Sequence, residues 1–161
     1  MKPGRGAFWL SQDTKQDIGS NMMQFHTRRE MWRLSYDARE MRFTWLETTE
    51  EERVKPRPPL LAGLTEEQKD AFLGWTVKAS VTVAIADLED VKEYRTPVEI
   101  LEEDYHRLQV AVVLVDGRRI FLFSDFVGVD SERPWRDSRE EQVVLAGVAA
   151  LVATIRGLIK G

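Results

Sequence analysis

Two histidines, two acidic runs and a group of arginines are the residues of this 161-residue chain whose types could do chemistry. Catalysis needs a nucleophile with its base, paired carboxylates in a pocket, or a metal cluster. His26 and His106 lie 80 residues apart, each expected at a strand edge, and no ligand spacing joins them to Glu103 or Asp104. The chain has no cysteine, which excludes disulfides, thiolate nucleophiles and cysteine-ligated zinc. Glu50-Glu51-Glu52 and Glu102-Glu103-Asp104 read as solvated loops, and Gly4-Arg5-Gly6 does not make a phosphate loop. The expectation is a protein that is not an enzyme and carries no metal or cofactor.

The arginines Arg28, Arg29, Arg33 and Arg42 are different, because a planar guanidinium suits the clamping of phosphate or carboxylate. From Ser20 to Glu47, however, five arginines face four acids, a balance of only +1. A solvated strand face that pairs with itself is the expected arrangement. Binding of a phosphoinositide or another anionic headgroup through Arg28, Arg29 and Arg42 is the alternative. A net charge of −4 excludes broad nucleic-acid binding, which needs a large cationic footprint, and limits any membrane contact to a peripheral one.

The element that must anchor any site is a closing helix from Asp137 to Lys160. Ser138-Arg139-Glu140-Glu141 has the spacing of a capping box, with Ser138 as the cap. Arg156 and Lys160 suit the helix C-terminus, where cations complement the dipole. Val144, Val148, Leu151, Val152, Ile155 and Ile159 make one broad stripe at 3.6-residue spacing. Val143, Ala146, Ala150 and Ala153 lie off it. Their cover is either internal, from Phe8-Trp9-Leu10 or a helix at 65–73, or a partner. The longest uncharged apolar run, Val143 to Ile155, is 13 residues, short of the roughly 20 that a membrane span needs. Without a secretory leader pattern at Met1-Lys2-Pro3, the expected location is the cytoplasm.

Upstream the pattern is extended. Residues 1–19 read either as a flexible arm or as one whose Trp9 docks on apolar surface. Met23 and Phe25, then Met31 to Tyr36, then Met41 to Leu46 make a three-stranded meander, with Asp37 to Glu40 as a turn. The prolines of Lys55-Pro56-Arg57-Pro58-Pro59 mark 48–75 as an insertion. Within it Thr65 and Gln68 are spaced as the capping box of a short helix that Gly74 ends. Val77, Ala79, Val81, Val83 and Ile85 alternate along a strand from Thr76 to Ala86. The charged stretch 87–94 fits helix or strand, and Arg95 to Asp104, broken by Pro97, reads as a loop or short helix. Leu108 to Val115 and Arg119 to Phe123 flank Asp116-Gly117, a two-residue hairpin turn. Trp32, Tyr36, Phe43, Trp45, Phe121 and Phe123 are expected in the core.

A meander, a strand pair, a hairpin and one closing helix resemble the pleckstrin-homology (PH) domain. Met31-Trp32-Arg33-Leu34-Ser35-Tyr36-Asp37 with Met41-Arg42-Phe43-Thr44-Trp45 is similar to the second and third strands of such domains. The closest in pattern are those of phospholipase C and the engulfment-and-motility scaffold proteins. Val83 to Val91 resembles their fourth-to-fifth strand segment, and the hairpin at Asp116-Gly117 their sixth and seventh strands. The resemblance covers residues 20–160, apart from the insertion. It implies a mainly β domain, residues 20–161, built as a seven-stranded, partly open barrel capped by the C-terminal α-helix, with a short helical insertion. Domains of this family usually carry a tryptophan within that helix, whereas here Trp135 sits just ahead of it. Lipid-binding members place cations where this chain has Gln24 and Arg28-Arg29-Glu30-Met31. Glu30 stands where a cation would help hold phosphate. The expected function is therefore a non-catalytic adaptor module that docks a protein partner or itself. Ala146, Ala150, Ala153, Leu151 and Trp9 are its expected contact residues.

Overall fold

Alternation of apolar and polar residues sets the first sheet, because successive side chains of a strand point to opposite faces. The computed structural model of the chain describes residues 8–12, 21–48, 63, 65, 68, 70 and 74–160. Strands β2 (Asn21–His26), β3 (Glu30–Tyr36), β4 (Glu40–Glu47) and β5 (Thr76–Ala84) pair antiparallel in chain order, and β1 (Phe8–Gln12) joins the edge beside β2. A 3-10 turn, Ile85–Asp87, leads into a second antiparallel sheet of β6 (Leu88–Ile100), β7 (Glu103–Leu114) and β8 (Arg119–Gly128). Helix α1 (Ser138–Lys160) closes the chain. No strand of one sheet pairs with a strand of the other among the described residues, so the sheets do not close into a ring.

The turns follow from side chains that mimic backbone acceptors. Asp37 Oδ1 accepts the N–H groups of Arg39 (2.8 Å) and Glu40 (2.9 Å), which closes β3 onto β4. Those bonds hold the Asp37 carboxyl below the usual aspartate range. Thr27 does the same between β2 and β3, its Oγ1 accepting from Glu30 N–H at 3.1 Å.

One hydrophobic cluster joins both sheets and the helix. Phe25 stacks on Trp32 with ring centroids 5.1 Å apart, and Trp32 meets Phe123 edge-on at 5.3 Å. Val144, Val148, Leu151, Val152 and Ile155 of α1 are buried against them, as the helical stripe requires. Each such side chain contributes about 1.5–3 kcal/mol through burial. Gly147 lets the helix approach: a Cβ there would lie 2.2 Å from Phe25 Cγ. Phe25 fills the core beside the helix, while Trp135 is 38% exposed and lies outside it.

The first sheet has a second, smaller cluster on its other face: Met31, Leu46 and Trp75. Beside it Arg33, 7% exposed, makes a two-pronged ion pair with Asp70 of the insertion, at 2.8 and 2.9 Å. The insertion's expected capping box is present, with Thr65 N–H donating to Gln68 Oε1 (2.9 Å) and Gln68 N–H to Thr65 Oγ1 (3.1 Å). Gly74 ends the turn at φ +89, with Trp75 N–H donating to Asp70 C=O at 2.8 Å. That is the six-to-one bond of a Schellman cap.

Several expectations are corrected. Arg95 to Asp104 is neither loop nor helix: β6 runs through Pro97, which an edge strand tolerates because the missing N–H can face outward. Leu101 and Glu102, at φ +51 and +67, make the two-residue turn into β7. Asp116-Gly117 belongs to a three-residue loop, closed by Leu114 N–H to Arg118 C=O (2.8 Å), with only Gly117 at positive φ. The α1 cap is Asp137, whose Oδ1 accepts Glu140 N–H at 2.9 Å, and not Ser138. Phe121 is 48% exposed, because a register shift pairs Ala111 with Phe121 and Val110 with Phe123, which turns the two rings to opposite faces. In β5 only Val83 is buried and Val81 packs beside it, while Val77 and Ala79 are exposed at the sheet edge. Of the expected flexible arm, Phe8–Gln12 forms a strand and the remainder lies outside the described residues.

Candidate binding surfaces

The sharpest concentration of charge is a corner cavity of about 460 Å³, where the two sheets part beside the start of α1. The β2–β3 turn (Thr27 to Glu30), Asp125 of β8, Trp135, Arg136 and Glu140 line it. Arg136 is its hub: Nη2 donates to Asp125 Oδ2 at 2.8 Å, and Nη1 to Glu141 Oε1 and Phe126 C=O, both at 3.2 Å. Glu141, 4% exposed, also accepts from the N–H groups of Gly128 and Trp135. Gly128 has to be glycine, since a Cβ would lie 2.1 Å from Arg133 C=O. Arg28 N–H donates to Glu140 Oε2 at 2.6 Å, which ties the β2–β3 turn to the helix.

Glu30 faces this corner from the core side of β3. Burial, reinforced by the negative charge of Asp125 and partly offset by Arg136, raises its pKa from 4.5 to about 7. Burial also lifts Asp125 above the usual aspartate range, against the pull of Arg136. The cavity therefore sets Arg28, Arg29 and Arg136 against Glu30, Asp125 and Glu140. A phosphate entering it would meet three carboxyl groups as well as three cations.

The three arginines expected to act together do not converge. Arg28 and Arg29 line the corner, whereas Arg42 sits five residues along β4 from Glu47, the partner of Glu30. At about 3.4 Å per residue that places Arg42 about 17 Å away. Its Nε donates to Thr82 Oγ1 at 3.3 Å. Arg33 leaves the expected solvated face altogether, held by Asp70. His26 stays at the end of β2, its ring 6.4 Å from that of Trp75, and His106 pairs with Val127 within the other sheet. Among the described residues no three His, Asp or Glu side chains gather as a metal site would require.

On α1 the expected contact residues divide. Ala146 and Ala153 are exposed, as is Ala149 between them; Ala150 is half-buried against the core. Leu151 is fully buried and belongs to the core, since it lies on the stripe facing both sheets. Trp9 lies in β1, paired with Gln24. By length and composition α1 could cross a membrane, yet five of its residues complete the core. Comparison of the chain with family models, curated proteins and solved structures returns no match.

The Arg136 hub escaped sequence reasoning because each member has a plainer local role. Glu141 reads as a capping partner and Arg136 as a loop cation. The one available signal was Pro134-Trp135-Arg136 directly before a helix start: an arginine there sits where the chain must turn back over its own strands.

Proposed function

We propose that the chain is a non-catalytic binding module of pleckstrin-homology type that docks a protein partner, or a second copy of itself, on α1. Strands β2 to β5, then β6 to β8, then α1 follow the order that this family resemblance implies, and β1 is an eighth strand added at the edge of the first sheet. In this reading α1 is the cap of a partly open barrel. The observation that carries the docking reading is the outward side of α1. Ala146, Ala149 and Ala153 lie along it, and only 33% of the helix's most apolar stretch is buried. Small side chains let another helix come close. Light scattering after size exclusion, across a concentration series and with candidate partners, tests this. Ala149→Arg leaves the buried stripe intact and should abolish the complex. A complex that forms equally well with Ala149→Arg and Ala153→Arg would overturn the reading. The anionic-headgroup alternative loses support from the separation of Arg42 and from the acids around Arg28 and Arg29.

A further inference from the structure

The middle of the outer face of the three-stranded sheet gathers cations and aromatic rings. Register places Lys92 and Tyr94 of β6, Arg107 and Gln109 of β7, and Phe121 and Phe126 of β8 on that face, with Arg119 at its end. On this face the rows Lys92–Ala111–Phe121, Tyr94–Gln109–Ser124 and Thr96–Arg107–Phe126 hold no carboxylate, in a chain with 27 acids against 23 bases, while Asp90 shares the row of Arg119. Lys92, Arg107 and Arg119 are exposed, and no carboxylate pairs with any of them among the described residues. Two of the cations lie over rings: Arg107 is 5.5 Å from the Phe126 centroid and Arg119 is 5.7 Å from that of Tyr94. Phe121 stands beside Tyr94, its ring 6.1 Å away, and remains 48% exposed.

We propose that this face is a docking site for an extended, acidic protein segment that carries aromatic or aliphatic residues. A guanidinium that lies over a ring still has N–H groups that can meet a carboxylate in two-pronged fashion. Phe121 and Tyr94 supply the apolar contact between the cations. Single-stranded nucleic acid is the less suitable ligand, because bases bind by stacking on open ring faces. Arg119 and Arg107 already lie over the rings of Tyr94 and Phe126, and Trp135 packs against Phe126 as well. The surface is separate from the outward side of α1, so failure at either leaves the other standing.

Amide chemical-shift mapping of the full chain tests the proposal. The probes are a synthetic peptide alternating glutamate with phenylalanine, the same peptide with glutamine for glutamate, and oligothymidylate. The glutamate peptide should give saturable shifts along β6, β7 and β8, weakened by salt, and the glutamine peptide should not. Arg107→Glu with Arg119→Glu should reduce affinity by about tenfold or more. Phe121→Ser, at an exposed position, should also weaken binding, and each variant's own spectrum reports that it is folded. Absence of saturable shifts, equal binding of the glutamine peptide, undiminished binding by the charge-reversed variant, or tighter binding of oligothymidylate would each overturn it.

Discussion

The two sheets share a core and treat their outer faces in opposite ways. The first sheet buries its outer face in part under the insertion, through Met31, Leu46, Trp75 and the Arg33–Asp70 pair. The second leaves the middle of its outer face more open, with Phe121 half exposed and two cations over rings, while Trp135 packs on Tyr105 and Phe126 at one end. Antiparallel sheets commonly keep one solvated face. What is unusual is that the solvated face here is aromatic and cationic. A buried ion pair adds little net stability, yet it fixes the geometry of what it joins. Arg107 and Arg119, which lie over rings and pair with no carboxylate among the described residues, are available to a ligand.

The largest effect should come from breaking the covered face. Asp70→Ala removes the two-pronged ion pair from the buried Arg33 guanidinium and should cost about 3–5 kcal/mol in urea unfolding. Replacing both partners, Arg33→Met with Asp70→Leu, should restore most of that loss. The shared core comes next: Gly147→Ala forces a Cβ into the Phe25 ring and should cost about 1–3 kcal/mol.

The corner where the sheets part is sensitive to pH. Glu30 ionises at about 7 in the fold, above its ordinary 4.5, so the native state binds the extra proton between those values. Its contribution is fully present below pH 4.5 and is lost as pH rises through 7. Glu30→Gln should remove that part of the slope, on the order of 1 kcal/mol after allowance for solvent screening. Unfolding curves of both proteins from pH 4 to 8 read it directly, and parallel pH profiles would contradict the assignment. The smallest effect belongs to the open face: Phe121→Ser should change stability by no more than about 0.5 kcal/mol.

The strands of the meander were legible because Leu34, Met41 and Phe43 alternate with Arg33, Ser35, Arg42 and Thr44, and alternation depends only on adjacent residues. The insertion's capping box and its Gly74 stop were legible for the same reason. The Leu101-Glu102 turn was not, since neither residue announces a positive φ. A single added residue at the β7–β8 register shift turned Phe121 outward, and no local pattern marks such a shift. Arg33 looked like one more surface cation because Asp70, its partner, lies 37 residues away. On α1, spacing identified the buried stripe correctly but could not show that Leu151 was unavailable to a partner.

Carbene footprinting of the full chain, read by mass spectrometry at single residues, tests the contrast between the sheets most directly. The account predicts strong labelling of Phe121 and Trp135, with Met31, Leu46 and Trp75 protected. Strong labelling of Met31 and Trp75 with Phe121 protected would contradict it.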